Sequence, residues 1–260
     1  LVPALRPSPQ AQHSNKKGSR SLLQYPLVLV PALGSDARLW QPAIDRIHDR
    51  VEVECVVIRG TGDSIESMAD DILAQAPDRF YLAGISMGGY VSLDIVLRGT
   101  GRVAGLALLN TSAIAAPPDR RKSSISVIEL AESGRFDEAV DRVSGAVAPT
   151  HPDVTAIAAA MARDLGAEVF KAQQLAVLDR RDRRSEIAKI KVPTLIVAGD
   201  ADAITPLRLS EEMASSIPDA ELHVLEEIGH LSPLEDPATV ASHLGDWLVR
   251  IDRQARRATP

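Results

Sequence analysis

A serine between two glycines is the strongest chemical signal in this chain. It stands in the run Gly84-Ile85-Ser86-Met87-Gly88, after an apolar stretch over residues 80–83 and before a helical pattern over residues 90–97. A strand that turns sharply into a helix strains the backbone of the residue at the apex and leaves its side chain open to approach. Glycines two positions before and after the apex prevent a collision. We therefore predict that Ser86 is a nucleophile, although the five-residue pattern alone also fits an idle serine in a glycine-rich turn.

A serine hydroxyl is a poor nucleophile at neutral pH and needs a base within hydrogen-bonding distance. Of the six histidines, His230 differs in its position, because it follows the last predicted strand in a loop and is preceded by Gly229. A lone histidine in a loop is most often a solvated side chain. Here the strand before it puts the imidazole on the side of the sheet where Ser86 is expected, and we predict that His230 is the base.

The base in turn needs an acid that holds it in the correct tautomer. Two aspartates compete in the run Gly199-Asp200-Ala201-Asp202, which follows another predicted strand. Asp200 is nearer to the strand end and is suited to bracing the loop, whereas Asp202 lies further towards the expected crevice. We predict that Asp202 is the partner of His230. Asn110 also ends a strand, but its amide lacks the negative charge that stabilises a forming imidazolium.

Apolar runs of strand length recur along the chain and alternate with helical patterns. The predicted strands are Leu27–Pro31, Val51–Ile58, Phe80–Ile85, Val103–Leu109, Pro193–Ala198 and Glu221–Leu225. The predicted helices cover residues 64–76, 87–98, 206–216 and 237–250. This alternation predicts an α/β fold with a mostly parallel sheet of about six strands and helices on both faces. In such a sheet a ligand binds at the carboxyl ends of the strands, where the serine, the aspartate and the histidine are all expected.

Residues 112–191 break the alternation, because no convincing strand occurs among them. The helical stretches in this segment are Ser123–Glu132, Phe136–Ala146, Asp153–Asp164 and Ala167–Asp179. The segment joins the strand that ends at Leu109 to the strand that begins near Val192, so it must emerge at the crevice. We predict a helical cap over the site, and a helical decoration without a role in binding is the alternative. Met161 and Phe170 are candidates for an apolar substrate pocket, although apolar residues at helical spacing are more often core.

The domain prediction follows from these patterns. An α/β core covers residues 23–111 and 192–252, and the cap covers residues 112–191. Residues 1–22 carry basic side chains, no acidic side chain and several Pro, Ser and Gln residues, which predicts a disordered tail. Residues 253–260 are predicted to be a second, shorter tail.

Composition narrows the classes of partner. The chain has 260 residues, of which 45% are hydrophobic, and a net charge of -6, which argues against nucleic acid as a partner. No apolar run is long enough to span a bilayer, so we predict no membrane partner. The single cysteine, Cys55, cannot form an intrachain disulfide, which fits a reducing compartment, and we predict a cytoplasmic location.

The run Arg180-Arg181-Asp182-Arg183-Arg184 could attract an anionic substrate, yet such runs are usually solvated surface. We predict a small-molecule substrate, no cofactor and no metal, and leave the oligomeric state open.

Together these motifs resemble the α/β-hydrolase superfamily over roughly residues 25–250. The resemblance rests on the glycine-flanked serine, on Gly199-Asp200-Ala201-Asp202 with Pro206, and on Gly229-His230 followed by Leu234-Glu235-Asp236-Pro237. In that superfamily the last acid of the Gly-x-x-Asp segment partners the histidine, and a helical insertion forms a cap. The superfamily usually begins with a two-stranded hairpin, for which the first 22 residues look too polar. The resemblance therefore implies a trimmed sheet of six parallel strands.

The resemblance also implies an oxyanion hole made of two backbone N–H groups. One belongs to Met87, which follows the nucleophile, and alignment by position makes Leu33 the second donor. Leu33 lies in the loop Pro31-Ala32-Leu33-Gly34, where relatives often carry His-Gly in place of its first two residues. Trp40 follows at a place where relatives often have an aromatic residue, and it either contacts substrate or packs the first helix.

These observations predict a cofactor-free serine hydrolase that cleaves a carboxylic ester or a related acyl compound through an acyl-enzyme. The same triad leaves enol-lactone hydrolysis, carbon–carbon bond hydrolysis, thioester cleavage and perhydrolysis open. Dehalogenase and epoxide hydrolase chemistry is disfavoured, because those relatives place an aspartate where this chain has Ser86. The alternative from another class is a binding protein that uses the same scaffold with little turnover.

Overall fold

The strands of this protein form two parallel sheets. The computed structural model describes residues 21–258, and its strands are β1 (Ser21–Leu22), β2 (Leu27–Val30), β3 (Val51–Glu52), β4 (Cys55–Val57), β5 (Phe80–Ile85), β6 (Val103–Leu109), β7 (Thr194–Gly199) and β8 (Ala220–Leu225). The short strands β1 and β3 pair with each other, and the other six form one sheet in the order β4-β2-β5-β6-β7-β8. Every neighbouring pair in that sheet is parallel, which confirms the predicted α/β class.

The helices lie between and after the strands. They are α1 (Gln41–His48), α2 (Ile65–Gln75), α3 (Met87–Leu97), α4 (Pro118–Glu132), α5 (Phe136–Val147), α6 (Pro152–Leu165), α7 (Ala167–Asp179), α8 (Leu207–Ser216), α9 (Ser232–Glu235) and α10 (Pro237–Ala258). The predicted helices of the core and the cap correspond to α2–α8 and α10. Within residues 21–258 no helix is both long enough and apolar enough to cross a bilayer.

Three boundaries differ from the prediction by more than two residues. Helix α4 begins at Pro118 rather than at Ser123. The predicted strand over residues 51–58 is two strands, because β3 pairs with β1 whereas β4 pairs with β2. The last helix continues to Ala258, although we predicted a tail from residue 253. An ion pair between Arg256 and Asp252, one turn apart, and a hydrogen bond from Arg256 to the carbonyl of Leu22 extend the helix along β1. Residues 1–20 of the predicted N-terminal tail lie outside the described residues, and residues 21–22, also predicted as tail, form β1 instead because they pair with β3.

Alternate side chains of the central strands enter two different cores. On β2, Leu27 and Leu29 pack towards α1 and α10, whereas Val28 and Val30 pack towards α2, α3 and α8. Helices therefore cover both faces of the central strands, which are almost entirely apolar because neither face meets water, whereas the edge strand β8 carries Glu221 and His223. A third, smaller core joins α4, α5, α6 and α7, with Leu33 packed against it. This arrangement leaves the carboxyl ends of the strands as the place where loops can gather polar side chains.

Candidate active site

Three of the predicted side chains meet above the carboxyl ends of β5, β7 and β8. The Ser86 Oγ lies 2.8 Å from His230 Nε2, and His230 Nδ1 lies 2.8 Å from Asp202 Oδ2. An ionised carboxylate only accepts hydrogen bonds, so Nδ1 carries the hydrogen and Nε2 accepts from the serine hydroxyl. His230 and Asp202 are buried, and Ser86 is partly exposed. The arrangement can take a proton from the hydroxyl and share the resulting charge with the carboxylate.

The backbone at Ser86 is strained. It has φ 54° and ψ -116°, outside the regions that residues with a side chain normally adopt. A Cβ atom on Gly84 would overlap the carbonyl oxygen of Gly88, and a Cβ on Gly88 would overlap the carbonyl oxygen of Val30. Only glycine fits at either position, so the turn is held tightly by its surroundings. The strain projects the hydroxyl away from the sheet and towards His230.

The Asp202 carboxylate accepts five hydrogen bonds. Oδ1 accepts from the backbone N–H groups of Ile204 (2.8 Å) and Thr205 (2.9 Å). Oδ2 accepts from His230, from the Thr205 hydroxyl (2.7 Å) and from the Asn110 amide (3.1 Å). Burial alone would raise the pKa of Asp202, but the charge of His230 and these hydrogen bonds outweigh it and lower the pKa to about 2. The group is therefore a carboxylate at neutral pH.

Asn110 holds the loops of the site together, a role that we did not predict from the sequence. Besides contacting Asp202, its amide nitrogen donates to the carbonyl of Gly229 at 2.9 Å, and its oxygen accepts from the Ser232 hydroxyl at 2.6 Å. Asn110 thereby links Asp202 to Gly229 and Ser232, which lie on either side of His230. Its φ of 42° lies in the left-handed region that asparagine tolerates better than most residues. An asparagine directly after a buried strand was the one available signal.

Glu235 is the second residue whose role only the fold reveals. Its side chain is fully buried, and its carboxylate accepts from the backbone N–H of Gly229 at 2.8 Å and of Leu231 at 2.7 Å. It therefore fixes the residues on either side of His230. The same carboxylate lies 3.1 Å from Nδ1 of His151, which belongs to the segment between β6 and β7.

The competing aspartate, Asp200, has a different role. Its Oδ1 accepts a hydrogen bond from the backbone N–H of Glu227 at 2.7 Å, which braces the loop after β8. Glu227 has a φ of 59°, so this contact supports a strained residue. Asp200 does not contact His230 and fits the bracing alternative considered above.

Two backbone N–H groups are available beside the serine. Met87 is the first residue of α3, where the N–H has no carbonyl partner in the helix. Within residues 21–258 neither the Met87 nor the Leu33 N–H donates to a protein acceptor. The loop of Leu33 is held from the cap, because the N–H of Gly34 donates to Gln173 Oε1 at 2.7 Å. Gly88 also packs against the carbonyl of Pro31, so the loop and the turn are in contact.

A cavity of about 440 Å³ opens above the serine. Ser86, His230 and Leu33 line its floor, and residues of α4, α5, α6 and α7 line much of the rest. Phe170 is fully buried in the core of α4–α7 beside the cavity, edge-on to Phe136 at a ring separation of 5.6 Å, and its role in binding substrate stays a prediction. The chamber is large enough for a small molecule.

The structure places two of the predicted substrate contacts away from the cavity. Trp40 and Met161 are fully buried in the core on the α1 and α10 face, and neither lines the cavity. Trp40 immediately precedes α1, and its ring packs into the core from there. Met161 points from α6 towards that core rather than towards the chamber. Both are large apolar residues at helix positions, for which core packing was the alternative.

The remaining reactive groups lie apart from the serine. Cys55 is on the edge strand β4, and burial raises the pKa of its thiol to about 12, which makes it a poor nucleophile. Among the described residues, no three His, Cys, Asp or Glu side chains are grouped so that they could hold a metal ion.

Comparison with known proteins finds a protein family whose model matches most of this chain. The model of the Alpha/beta hydrolase family matches residues 27–243. The chain is 26% identical to 3-oxoadipate enol-lactonase 1 of Acinetobacter baylyi over 81% of this chain and 84% of that protein. It is 25% identical to the pimeloyl-[acyl-carrier protein] methyl ester esterase of Aliivibrio salmonicida, over 87% of this chain and 90% of the relative. Among solved structures, a thermophilic esterase from Thermogutta terrifontis, with malate bound, superposes on this chain with a TM-score of 0.78. The two sequences are 26% identical, and the superposition covers 89% of this chain and 92% of the esterase chain.

Proposed function

Because the chain belongs to the alpha/beta hydrolase family, we propose that it is a cofactor-free serine hydrolase that cleaves a carboxylic ester or a related acyl compound. The observation that carries this proposal is the hydrogen-bonded chain Ser86–His230–Asp202 at the floor of a cavity that a small molecule can enter. The relatives named above hydrolyse esters or a lactone according to their names, which supports the same class of reaction.

In the proposed mechanism, His230 removes the proton from Ser86 as the Oγ attacks the substrate carbonyl carbon. The N–H groups of Met87 and Leu33 donate to the oxyanion that forms, each contributing about 3 kcal/mol. Asp202 holds the imidazole in place and stabilises its positive charge. His230 then passes the proton to the leaving group, and water, activated by the same base, releases the acyl group from Ser86.

The helices of residues 112–191 are proposed to act as a cap that shields the reaction from bulk water. Phe170 supplies an apolar wall for the substrate in this proposal. A cytoplasmic location fits the single buried thiol of Cys55 and remains a prediction, as does the lack of a nucleic-acid partner.

Enol-lactone hydrolysis is the second candidate. It needs the same serine, base and oxyanion donors, and one relative carries that activity in its name. A panel of p-nitrophenyl esters of increasing acyl length, together with simple lactones, separates the two. A steep loss of activity beyond short acyl chains indicates a small, closed pocket, and turnover of lactones alone identifies a lactonase.

Replacing Ser86 by alanine tests the proposed function. S86A is expected to lower the hydrolysis of p-nitrophenyl butyrate roughly 10⁴- to 10⁶-fold, because no other group can form the acyl-enzyme. The matched control is S215A, which removes an exposed serine of α8 and should hydrolyse the ester like the wild type. Thermal unfolding of S86A checks that the variant is folded.

A fluorophosphonate probe distinguishes an enzyme from a binding protein. Covalent labelling of wild type and S215A, but not of S86A, is the expected result, because the probe reacts with an activated serine. Folded wild type that is neither labelled nor active on any ester or lactone would contradict the proposed function and favour a binding role.

A further inference from the structure

Arg180 is a buried cation inside the cavity. It follows α7 directly, 9% of its surface is exposed, and it lines the chamber above Ser86. Its Nε donates to the carbonyl of Ile114 at 3.0 Å and its Nη1 to the carbonyl of Val177 at 2.6 Å. Within residues 21–258 no Asp or Glu pairs with it, and its other charged neighbours, Arg120 among them, are positive. An unpaired buried guanidinium is costly, so the site lacks an anion that would complete it.

Tyr90 connects Arg180 to the nucleophile Ser86. Its guanidinium carbon lies 4.3 Å from the ring centroid of Tyr90, which holds the planar group from one face. Tyr90 is on α3, one helical turn after Ser86, and its N–H donates to the Ser86 carbonyl at 3.2 Å. Ser86, Tyr90 and Arg180 all line the same cavity, so one bound molecule can contact both the nucleophile and the cation.

Ser112 lies at the same end of the cavity. Arg180, Tyr90 and Ser112 all line the boundary between the main chamber and a small adjoining void. The Ser112 hydroxyl is buried and has no hydrogen-bond partner within the described residues. Buried polar groups without partners are rare in folded proteins. A hydroxyl and a guanidinium near one another, each short of a partner, suit the same negatively charged group.

The charged residues that line the chamber also favour an anionic ligand. Its lining includes four arginines and one acid, Asp119, although the chain as a whole has a net charge of -6. Arg120, Arg142 and Arg208 are exposed at its edge, and none of the three has an ion-pair partner within the described residues. A positive cavity in an acidic protein attracts anions from solution.

We propose that the substrate carries a carboxylate, which Arg180 binds with the Ser112 hydroxyl as a second donor. This inference rests on the proposed function and names its substrate class: an ester or lactone that also bears a free carboxylate. The planar guanidinium matches the planar carboxylate. Arg180 is a specificity-determining residue here, and the triad performs the chemistry on charged and neutral esters alike.

The test compares esters of similar shape in which a carboxylate is replaced by an isopropyl group, and it compares the enzyme variants on each ester so that intrinsic differences between the esters cancel. p-Nitrophenyl hydrogen adipate carries the carboxylate on the acyl side, and p-nitrophenyl 6-methylheptanoate replaces it by an isopropyl group. 4-Acetoxybenzoate and 4-isopropylphenyl acetate form the equivalent pair for the leaving-group side. Initial rates, corrected for spontaneous hydrolysis, give kcat/KM for each ester with wild type, R180Q and R46Q. Arg46 is the matched control because it is an exposed arginine of α1 that lines neither the chamber nor the adjoining void.

The expected result is that wild type prefers the charged ester of at least one pair and that R180Q loses this preference by roughly 10- to 100-fold, which is the effect of a lost hydrogen-bonded charge pair. R46Q should keep the preference. S112A should lower it by a smaller factor.

Two outcomes overturn the inference: a wild type that prefers neither charged ester, or a preference that R180Q leaves unchanged. If R180Q does not fold, R180K and inhibition of wild type by adipate, with 6-methylheptanamide as the neutral control, provide the same comparison. Equal weak inhibition by both compounds, with no charge preference in R180K or wild type, also overturns it. Failure of the proposed function looks different, because wild type would then hydrolyse neither p-nitrophenyl butyrate nor any of the four esters.

Discussion

At the scale of single residues, the candidate site consists of a few reactive groups and more side chains that hold them in place. Ser86, His230 and Asp202 form the hydrogen-bonded chain, whereas Asn110 and Glu235 hold the loops that carry two of them. The contacts of Asn110 join residues 92 to 122 positions apart, whereas those of Glu235, and of Thr205 with Asp202, are local in sequence. The reactive residues were recognisable by type and order, and their supports were not.

Asn110 provides the first prediction at this scale. N110A should lower kcat for p-nitrophenyl butyrate about tenfold and destabilise the fold by about 1–3 kcal/mol, because Asp202 loses a donor and Ser232 and Gly229 lose their partners. N110G is the matched variant, since glycine accepts the positive φ but also lacks the amide. Kinetics and urea unfolding measure both effects. If N110G has wild-type kcat while N110A does not, the backbone conformation rather than the amide is what matters.

Asp202 gives a prediction for acid stability. Its pKa is about 2 in the folded protein and close to 3.8 when unperturbed, so the folded state binds this proton more weakly than the unfolded state. The ionised carboxylate therefore stabilises the fold above pH 4, by about 2 kcal/mol, and this contribution is lost as the pH falls from about 4 through 2. Urea unfolding of wild type and D202N at several pH values measures it. The gap in unfolding free energy should narrow towards pH 2, and parallel curves would contradict the assignment.

At the scale of elements, the sequence predicted most strands and helices, because strands covered on both faces are apolar throughout and helices alternate with them. The exceptions have tertiary causes. The apolar run over residues 51–58 is split because its two halves pair with different strands, β1 and β2. The end of α10 is held by contacts to β1, which lies more than 200 residues earlier.

The turn between β5 and α3 gives a prediction at this scale. G88A should destabilise the protein by about 2–4 kcal/mol and reduce ester hydrolysis, because the new methyl group overlaps the carbonyls of Val30 and Pro31 and must push α3 away from β2. G145A is the matched control: it lies in helix α5 with no atom within 4 Å of the new Cβ. It should stabilise the fold by about 0.5–1 kcal/mol. Thermal and urea unfolding compare the two, and equal effects of the two substitutions would refute the close approach at Gly88.

At the scale of the whole molecule, charge is distributed unevenly. The net charge is -6, yet the lining of the cavity carries four arginines and a single acid. Long-range electric fields of this kind raise the rate at which ions of opposite charge reach a site. Salt screens such fields, and at physiological ionic strength they decay over a Debye length of about 8–10 Å. The exposed arginines at the edge should therefore act through association, whereas the buried Arg180 should act through binding.

This distinction can be measured. The triple variant R120Q/R142Q/R208Q should lower kcat/KM for p-nitrophenyl hydrogen adipate about 3- to 10-fold relative to its neutral partner at low salt, and the difference should shrink as KCl is raised. The loss in R180Q should depend less on salt, because its surroundings exclude water. A triple variant with the same salt dependence as the wild type would show that the edge arginines do not steer the substrate.

The sequence by itself determined the parallel sheet and the order in which Ser86, Asp202 and His230 follow its strands, because periodicity and turn residues act locally and the carboxyl ends of parallel strands share one edge. Only the tertiary structure decided which side chains face the cavity. Trp40 and Met161 lie in one core, Phe170 lies in the core of the cap beside the chamber, Arg180 lines the chamber, and Asn110 joins two loops. Residue type and spacing indicate that a side chain will be buried, but its neighbours come from segments far apart in the chain, and only packing brings them together.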